Sequence, residues 1–348
     1  MRVVNFFMLA TTLFLLSCNA NFKHLNKETN VNQLTTELLL QDEVYSDKIE
    51  DFYNSGQEGY FEGQEGVPIY YKFFRQSDRK APAIMISSGR TEAAIKYKEL
   101  IFDLYNEGYS VYIHDHRGQG LSGRMTEDPD MGYIDTFQFY VDDMKFYYDN
   151  MVIPGGHKQI YLLAHSLGGA IGMTYLEQYA GDFKAAAFSS PMLGLKPPAC
   201  EAVMLLAGDE PKYALGQHKY DDDKTDFTKN KLTGSKIRYE RMIEAYEKEP
   251  KARLGGATYQ WVLRSCQQFD YMNENIDRIQ TPFILFSAED ERIVNPRAHQ
   301  RFVESALELG KTCQAWVIEN AQHELLIEKD EQRIDTLNHI LKFYAQYR

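Results

Sequence analysis

Short apolar runs alternate along the chain with longer segments of helical period. Apolar runs of strand length that end at polar turns predict buried strands, and the amphipathic segments between them predict helices. The predicted strands are 83–87, 109–114, 160–164, 184–188, 282–286 and 314–318. The predicted helices are 92–106, 135–150, 167–179, 296–309 and 327–347. This alternation predicts an α/β fold with a mostly parallel central sheet and helices on both of its faces.

Two segments depart from this alternation. Residues 59–75 alternate around a glycine-containing turn and predict an opening hairpin. Residues 194–270 show no strand alternation and include a helical pattern near 235–248. An insertion directly after the strand 184–188 would lie over the carboxyl edge of the sheet, where ligands bind in open α/β folds. The predicted organisation is therefore a core of residues 41–193 and 271–348 with a mainly helical cap of residues 194–270.

The composition is that of an ordinary globular protein, with 348 residues, 44% hydrophobic and 25% charged. The formal net charge of -12, without a basic stripe of interleaved aromatic residues, argues against nucleic acid as a partner. Three signals for a metal or a cofactor are each incomplete. Residues 221–223 lack the ligand spacing of a calcium loop, no ligand cluster accompanies the His114-Asp115-His116 pair, and no helix opens from the glycine pattern 118–123. We therefore expect no cofactor and no metal.

The first eighteen residues resemble an export signal. One cation, Arg2, precedes an uncharged apolar run that is shorter than the ~20 residues needed to span a bilayer. The run ends in Leu-Leu-Ser-Cys, which resembles the bacterial lipobox and predicts lipidation of Cys18; an ordinary cleaved signal is the alternative. Residues 19–40, polar and rich in asparagine, predict a tether. Several acyl chains on Cys18 would hold the protein on a membrane, so we expect an exported, membrane-anchored bacterial lipoprotein in the periplasm, on the outer membrane or at the cell surface.

Two features of the predicted cap have more than one interpretation. Cys200 and Cys266 could form a disulfide in an exported protein or remain buried thiols, while Cys313 leaves an odd count after Cys18. The apolar run 204–206 fits either a core segment or a surface that faces lipid.

A serine stands between a predicted strand and a predicted helix. Ser166 stands one residue beyond the end of the strand 160–164, after His165. This placement is typical of a nucleophile elbow, whose strained turn lifts the serine hydroxyl above the sheet. Only small residues fit at the positions two residues before and two residues after that serine. Ala164 and Gly168 occupy these positions, whereas the usual pattern has glycine at both. The alternative is a serine that only caps the helix. The presence or absence of a suitable base and acid elsewhere in the chain distinguishes these two interpretations.

An activated serine needs a base and an acid that orients the base, and in an elbow fold they follow in the order serine, carboxylate, histidine. His323 lies in a loop between the last strand and the last helix, whereas the other downstream histidines fall in the cap or in helical patterns. The turn after strand 282–286 contains three adjacent carboxylates, at 289–291. The oxyanion needs two backbone N–H donors, and the candidates are Leu167 and Arg90.

Seven segments together resemble one known family. They are SSGRTEAAIKYKEL, DHRGQGLSGR, AHSLGGAIGMTYLE, FTKNKLTGSKIRY, GGATYQWVL, AEDERIVNPRAHQRF and HELL at 323–326. They are similar to the bacterial lysophospholipase and monoacylglycerol lipase branch of the α/β-hydrolases over about residues 55–347, and the cap segments favour lysophospholipases. The resemblance implies the α/β-hydrolase fold and hydrolysis of a lipid ester through an acyl-enzyme, without a cofactor.

The same resemblance selects among the three acids. Related hydrolases place the acid before one residue and two aliphatic residues, which implies Glu291 and leaves Asp290 as the fallback. The implied triad is Ser166, Glu291 and His323, and the expected substrate is a lysophospholipid. The alternatives are a monoacylglycerol lipase or general carboxylesterase, an S33-type peptidase, and a surface lipoprotein that binds lipid without cleaving it.

Overall fold

The computed structural model describes residues 22–24, 32–221 and 226–348. The predicted signal sequence and Cys18 lie outside these residues. The strands are β1 (Lys23–His24), β2 (Gln57–Glu62), β3 (Pro68–Phe74), β4 (Ala83–Ser87), β5 (Ser110–His114), β6 (Ile160–His165), β7 (Ala185–Ser189), β8 (Phe283–Ala288) and β9 (Cys313–Ile318). The helices are α1 (Glu37–Leu40), α2 (Glu43–Asn54), α3 (Lys98–Asn106), α4 (Gln138–Tyr147), α5 (Leu167–Gln178), α6 (Ala199–Leu206), α7 (Lys236–Lys248), α8 (Tyr259–Glu274), α9 (Pro296–Glu308) and α10 (Asp330–Ala345).

The described strands form one sheet in the order β1-β9-β8-β7-β6-β4-β5-β3-β2. The strands from β1 to β5 in this order are parallel to their neighbours, while β3 runs antiparallel to β5 and forms the opening hairpin with β2. The α/β fold with a mostly parallel sheet is therefore confirmed. The carboxyl ends of the parallel strands share one edge, and this edge carries the candidate site.

Alternate residues of the central strands enter two separate cores. On β6, Leu162 and Ala164 pack with α4, α5, α8 and α9, whereas Tyr161 and Leu163 pack on the opposite face with α3 and α10. Side chains of a strand alternate between the faces of a sheet, so both faces of a central strand must be apolar when helices cover both. This explains why the predicted strands read as continuous apolar runs.

Residues 32–40 are packed against the core instead of forming part of the predicted tether. Leu34 is buried, and the backbone amide and hydroxyl of Thr35 donate hydrogen bonds to Asp103 of α3 at 3.0 and 2.6 Å. The carbonyl oxygen of Thr35 accepts from both Arg238 and Arg333. These partners come from distant parts of the chain, so the polar composition of the segment gave no sign of them.

The segment predicted as a cap contains α6 and α7, and α8 crosses its predicted end because this helix continues to Glu274. A disulfide joins Cys200 of α6 to Cys266 of α8, which decides between the two interpretations of these cysteines, and Cys313 is a half-buried free thiol. The apolar run at 204–206 is exposed, with Leu205 at 87% of its full accessibility, so it is not a core segment. In the described parts of the chain, no helix combines the length and the apolar character required to cross a membrane.

Candidate active site

The turn between β6 and α5 holds Ser166 in a strained backbone conformation. Its φ of 50° and ψ of -115° lie outside the regions that ordinary residues prefer. A Cβ atom added at Gly168 would lie 2.1 Å from the backbone oxygen of Ser87, so this position requires glycine. Backbone hydrogen bonds from Ser166 to Ser189 and from Met192 to Ser166 brace the turn. The local geometry is that of a nucleophile elbow rather than of a serine cap, since the Ser166 side chain caps no amide of α5.

The structure brings Ser166, His323 and Glu291 together. His323 Nε2 lies 2.9 Å from Ser166 Oγ, and His323 Nδ1 lies 2.8 Å from Glu291 Oε2. An ionised carboxylate only accepts hydrogen bonds, so Nδ1–H donates to Glu291 and Nε2 is left to accept the serine proton. All three residues are buried. This is the geometry of a nucleophile, a base and an acid that orients the base.

Glu291, not the fallback Asp290, contacts His323. The second oxygen of Glu291 accepts hydrogen bonds from the backbone amides of Ile293 and Val294 at 2.7 and 3.1 Å. Burial opposes the charged form, but the hydrogen bond and charge of His323 and these two amides together lower the pKa of Glu291 below its usual value. Asp290 turns to the surface and pairs with Arg292 at 2.7 Å.

The two predicted oxyanion donors lie on either side of the nucleophile. Leu167 is the first residue of α5, and Arg90 follows β4 and lines the same cavity as Ser166. Neither backbone amide donates a hydrogen bond to another described residue. Both are therefore available to a ligand, and the amide of Leu167 lies at the positive end of a helix dipole.

Four buried ionisable side chains lie directly behind the triad, and no local sequence pattern marked them as part of the site. Lys96 Nζ lies 2.6 Å from both Glu92 and Glu324, and His165 Nε2 lies 3.1 Å from Glu324. Burial opposes protonation of His165, but Glu324 and Glu92 raise its pKa above the usual value. Glu92 also accepts from the amide of Gly89, next to Arg90. The cluster thus connects the loop that contains Gly89 and Arg90 with the residue before Ser166 and the residue after His323.

The cluster has ligand atoms close enough to hold a metal ion, since one atom each of Glu92, His165 and Glu324 lie within 4.8 Å of one another. The ammonium group of Lys96 already supplies the positive charge that the two carboxylates require. Among the described residues, His114, Asp115 and His116 do not form such a cluster of ligand atoms. Asp115 instead accepts hydrogen bonds from the amides of Ala94 and Leu121.

The site opens into a cavity of about 770 Å³ with a predominantly apolar lining. Ser166 and His323 lie in its wall, and aliphatic and aromatic side chains of α6, α7 and α8 supply much of the rest. Leu206 and Leu215 line the cavity and are also exposed, Leu215 at 85%. Most ligand pockets measure roughly 300–1,000 Å³, so this cavity is large enough for a long flexible molecule.

Comparisons with known proteins identify the relatives of the chain. The family model described as "Serine aminopeptidase, S33" matches residues 78–330. Lysophospholipase L2 of Escherichia coli K12 is 36% identical over 308 residues, covering 85% of this chain and 90% of that protein. Probable lysophospholipase L2 of Haemophilus influenzae is 32% identical, covering 81% and 91%.

The fold has solved relatives as well. A soluble variant of monoglyceride lipase from Saccharomyces cerevisiae, solved with a substrate analog, superimposes with a TM-score of 0.64 at 17% identity, covering 84% of this chain and 97% of that one. The chain therefore belongs to the serine aminopeptidase S33 family of α/β-hydrolases, in the branch that includes the bacterial lysophospholipases L2.

Proposed function

We propose that this protein is a lysophospholipase that releases the fatty acid of a lysophospholipid through a serine acyl-enzyme. The observation that carries the proposal is the hydrogen-bonded series Ser166–His323–Glu291, which opens into a large apolar cavity. The identity of 36% to lysophospholipase L2 over most of both chains supports the choice of substrate.

The reaction follows from the three side chains. His323 Nε2 takes the hydroxyl proton as Ser166 Oγ attacks the ester carbonyl carbon, and the amides of Leu167 and Arg90 stabilise the oxyanion. Glu291 remains ionised and stabilises the imidazolium of His323. His323 then gives its proton to the glycerol oxygen, which leaves as the C–O bond breaks. In the second half, His323 takes a proton from a water molecule as the water oxygen attacks the acyl carbon. His323 then returns this proton to Ser166 Oγ as the bond between Oγ and the acyl carbon breaks, which releases the fatty acid and restores Ser166.

Two features of the cavity support a single-chain lipid as the substrate. Its lining is mostly apolar, and burial of an acyl chain contributes about 0.8 kcal/mol per CH₂ group. Exposed apolar side chains at Met204, Leu205, Leu206 and Leu215 lie on or beside its rim. A surface of this kind favours contact with micelles or membranes, where lysophospholipids are found.

We further propose that the protein is exported and anchored to a membrane through lipidated Cys18. The lipobox-like sequence supports this, and so does the disulfide between Cys200 and Cys266, because disulfides persist in oxidising compartments. Expression of the full chain in a lipoprotein-processing bacterium with an alkyne fatty acid should label the protein. The Cys18→Ala variant should lose both the label and the membrane fraction, while the Cys313→Ala variant should keep both. Equal labelling of the Cys18→Ala variant would contradict the anchor.

The activity is tested with purified protein and 1-palmitoyl lysophosphatidylcholine. The parent protein should release palmitate and react with a fluorophosphonate probe, and Ser166→Ala should lose both activities while keeping its thermal unfolding temperature. Full activity in the Ser166→Ala protein would refute the proposal. Failure of the parent protein to react with the probe would favour a lipoprotein that binds lipid without cleaving it.

Monoacylglycerol lipase and peptidase activities are distinguished in the same assay. We expect a higher kcat/KM for the lysophospholipid than for monopalmitoylglycerol, and no measurable release of an N-terminal residue from aminoacyl p-nitroanilides. A preference for monopalmitoylglycerol would assign the protein to the alternative lipase activity.

A further inference from the structure

A half-buried cation, which has no acidic partner among the described residues, faces the cavity. The guanidinium of Arg90 lines the cavity, and Nη2 donates one hydrogen bond, to the backbone oxygen of Gly255 at 2.9 Å. Its plane lies near the indole ring of Trp261, with 5.1 Å between Cζ and the ring centroid. Nε is buried and has no hydrogen-bond partner among the described residues. No described carboxylate lies within ion-pair distance of Arg90, although a charge removed even partly from water is normally paired.

The surroundings of Arg90 are more positive than the protein as a whole. The chain has a formal net charge of -12, yet four basic residues line the cavity against two acidic ones. Lys96 lies between the two acids, Glu92 and Glu324, and all three belong to the cluster behind the triad. The remaining basic residues are Arg90, Lys196 and Arg253. Lys196 donates to the backbone oxygen of Glu291 at 2.8 Å, a partner that does not neutralise its charge.

Burial lowers the pKa of Arg90 to about 10, so its side chain is still a cation at neutral pH. Tyr140 opposes this shift only in part, which agrees with the lack of a carboxylate partner among the described residues. An anionic group of a ligand would provide the missing compensation and could also accept a hydrogen bond from Nε.

The length of the Arg90 side chain matches the spacing within a lysophospholipid. Five bonds separate Cα from Cζ in arginine, about 6 Å when extended. Six bonds separate the reacting carbonyl carbon from phosphorus in a 1-acyl lysophospholipid, about 7 Å at full extension. The backbone amide of Arg90 is the expected partner of the ester oxyanion. The guanidinium of the same residue can therefore contact the phosphate while the ester lies at Ser166.

We propose that Arg90 is a specificity-determining residue that binds the phosphodiester of the substrate. This inference rests on the proposed lysophospholipase function and extends it, because it states how the site distinguishes a lysophospholipid from a neutral monoacylglycerol. Lys196 provides a second positive charge in the lining of the same cavity. Arg90 would bind the phosphate, which all lysophospholipids share. Substrates with choline, ethanolamine and glycerol head groups should therefore all be accepted.

The test compares two short-chain substrates that remain monomeric in solution, hexanoyl lysophosphatidylcholine and monohexanoylglycerol. In Arg90→Gln, the ratio of kcat/KM for the phosphorylated ester to that for the neutral ester should fall about ten- to hundred-fold, mainly through KM. Arg90→Lys, which keeps the charge but not the planar donors, should fall less. Arg301→Gln, the same charge change at an exposed position on α9, should keep the parent ratio.

An unchanged ratio in Arg90→Gln, or equal losses with both esters, would overturn the proposal and assign a structural role to Arg90. A second measurement does not depend on the folding of variants. In the unmodified protein, hexylphosphocholine should inhibit hydrolysis of p-nitrophenyl butyrate at least ten-fold more strongly than hexyl glucoside, and equal inhibition would contradict phosphate binding. Absence of any Ser166-dependent ester hydrolysis would instead refute the proposed function, so the two failures are distinguishable.

Discussion

Replacement of Glu291 by glutamine should reverse the hydrogen bonding of the triad. One oxygen of Glu291 accepts from the amides of Ile293 and Val294, and the other accepts from His323 Nδ1. A glutamine side chain would direct its oxygen toward the two amides, since both can only donate, and its NH₂ group toward His323. Nδ1 must then accept, so the ring proton moves to Nε2, which can no longer accept the proton of Ser166.

The expected loss is about 10³- to 10⁴-fold in kcat, which corresponds to about 4 to 5.5 kcal/mol in the activation free energy. Asp290→Asn is the matched control, because it makes the same chemical change one residue earlier. The Asp290 side chain is 46% exposed and pairs with exposed Arg292, and an exposed pair contributes less than about 1 kcal/mol. Its activity should stay within about threefold of the parent value.

The assay measures initial rates of palmitate release from 1-palmitoyl lysophosphatidylcholine at pH 7.5, normalised to the fraction of protein that reacts with the fluorophosphonate after long incubation. Thermal unfolding confirms that each variant is folded. A folded Glu291→Gln protein within tenfold of the parent rate would refute the assignment of this acid. An equal loss in the Asp290→Asn protein would refute the argument from the two backbone amides.

Three further predictions concern stability. Gly168→Ala should lower the free energy of unfolding by about 1 to 3 kcal/mol, because its Cβ would lie 2.1 Å from a backbone oxygen; urea unfolding checks this against Gly208→Ala, where nothing lies within 4 Å. Replacement of Cys200 and Cys266 by serine should cost about 4 kcal/mol by the chain-entropy estimate for a 66-residue loop, and an unchanged urea midpoint would contradict the bridge. The raised pKa of His165 should add stability that is full below its unfolded-state pKa of about 6.5 and is lost as pH rises through the folded-state value. Urea unfolding from pH 6 to 9 should show this loss in the parent protein and a flatter profile in His165→Gln.

The parts of the fold that depend on local pattern could be predicted from the sequence. The strand before Ser166 and the helix after it require apolar residues on two faces and glycine at a tight approach, and these requirements appear in consecutive residues. The order of serine, acid and histidine along the chain then identified Ser166 and His323, which the structure places 2.9 Å apart. Their catalytic roles remain a prediction.

Other features depend on contacts between distant segments, which no local pattern records. Local pattern does not show which of the adjacent acids Asp290 and Glu291 the turn directs inward. In the folded chain, hydrogen bonds from the amides of Ile293 and Val294 hold Glu291 in the inward position. Thr35 and Asp103, which form hydrogen bonds, are 68 residues apart in the sequence. Lys96 and Glu324, which form an ion pair, are 228 residues apart. One signal in the sequence pointed to this cluster: Glu324 is a carboxylate directly after the proposed base. A buried charge at such a position strongly shifts the pKa values of its neighbours.

The bridge between α6 and α8 limits how the rim of the cavity can move. The Cα atoms of its two cysteines are 5.7 Å apart, and α8 packs against α5, the helix that begins at the nucleophile. The disulfide therefore links the exposed leucines of α6 to α8 and, through α8, to the helix that follows Ser166. This link restrains α6 from moving away from the cavity as an independent lid. Protein produced in a reducing cytoplasm would lack this disulfide, so recombinant protein for kinetic work should be folded under oxidising conditions.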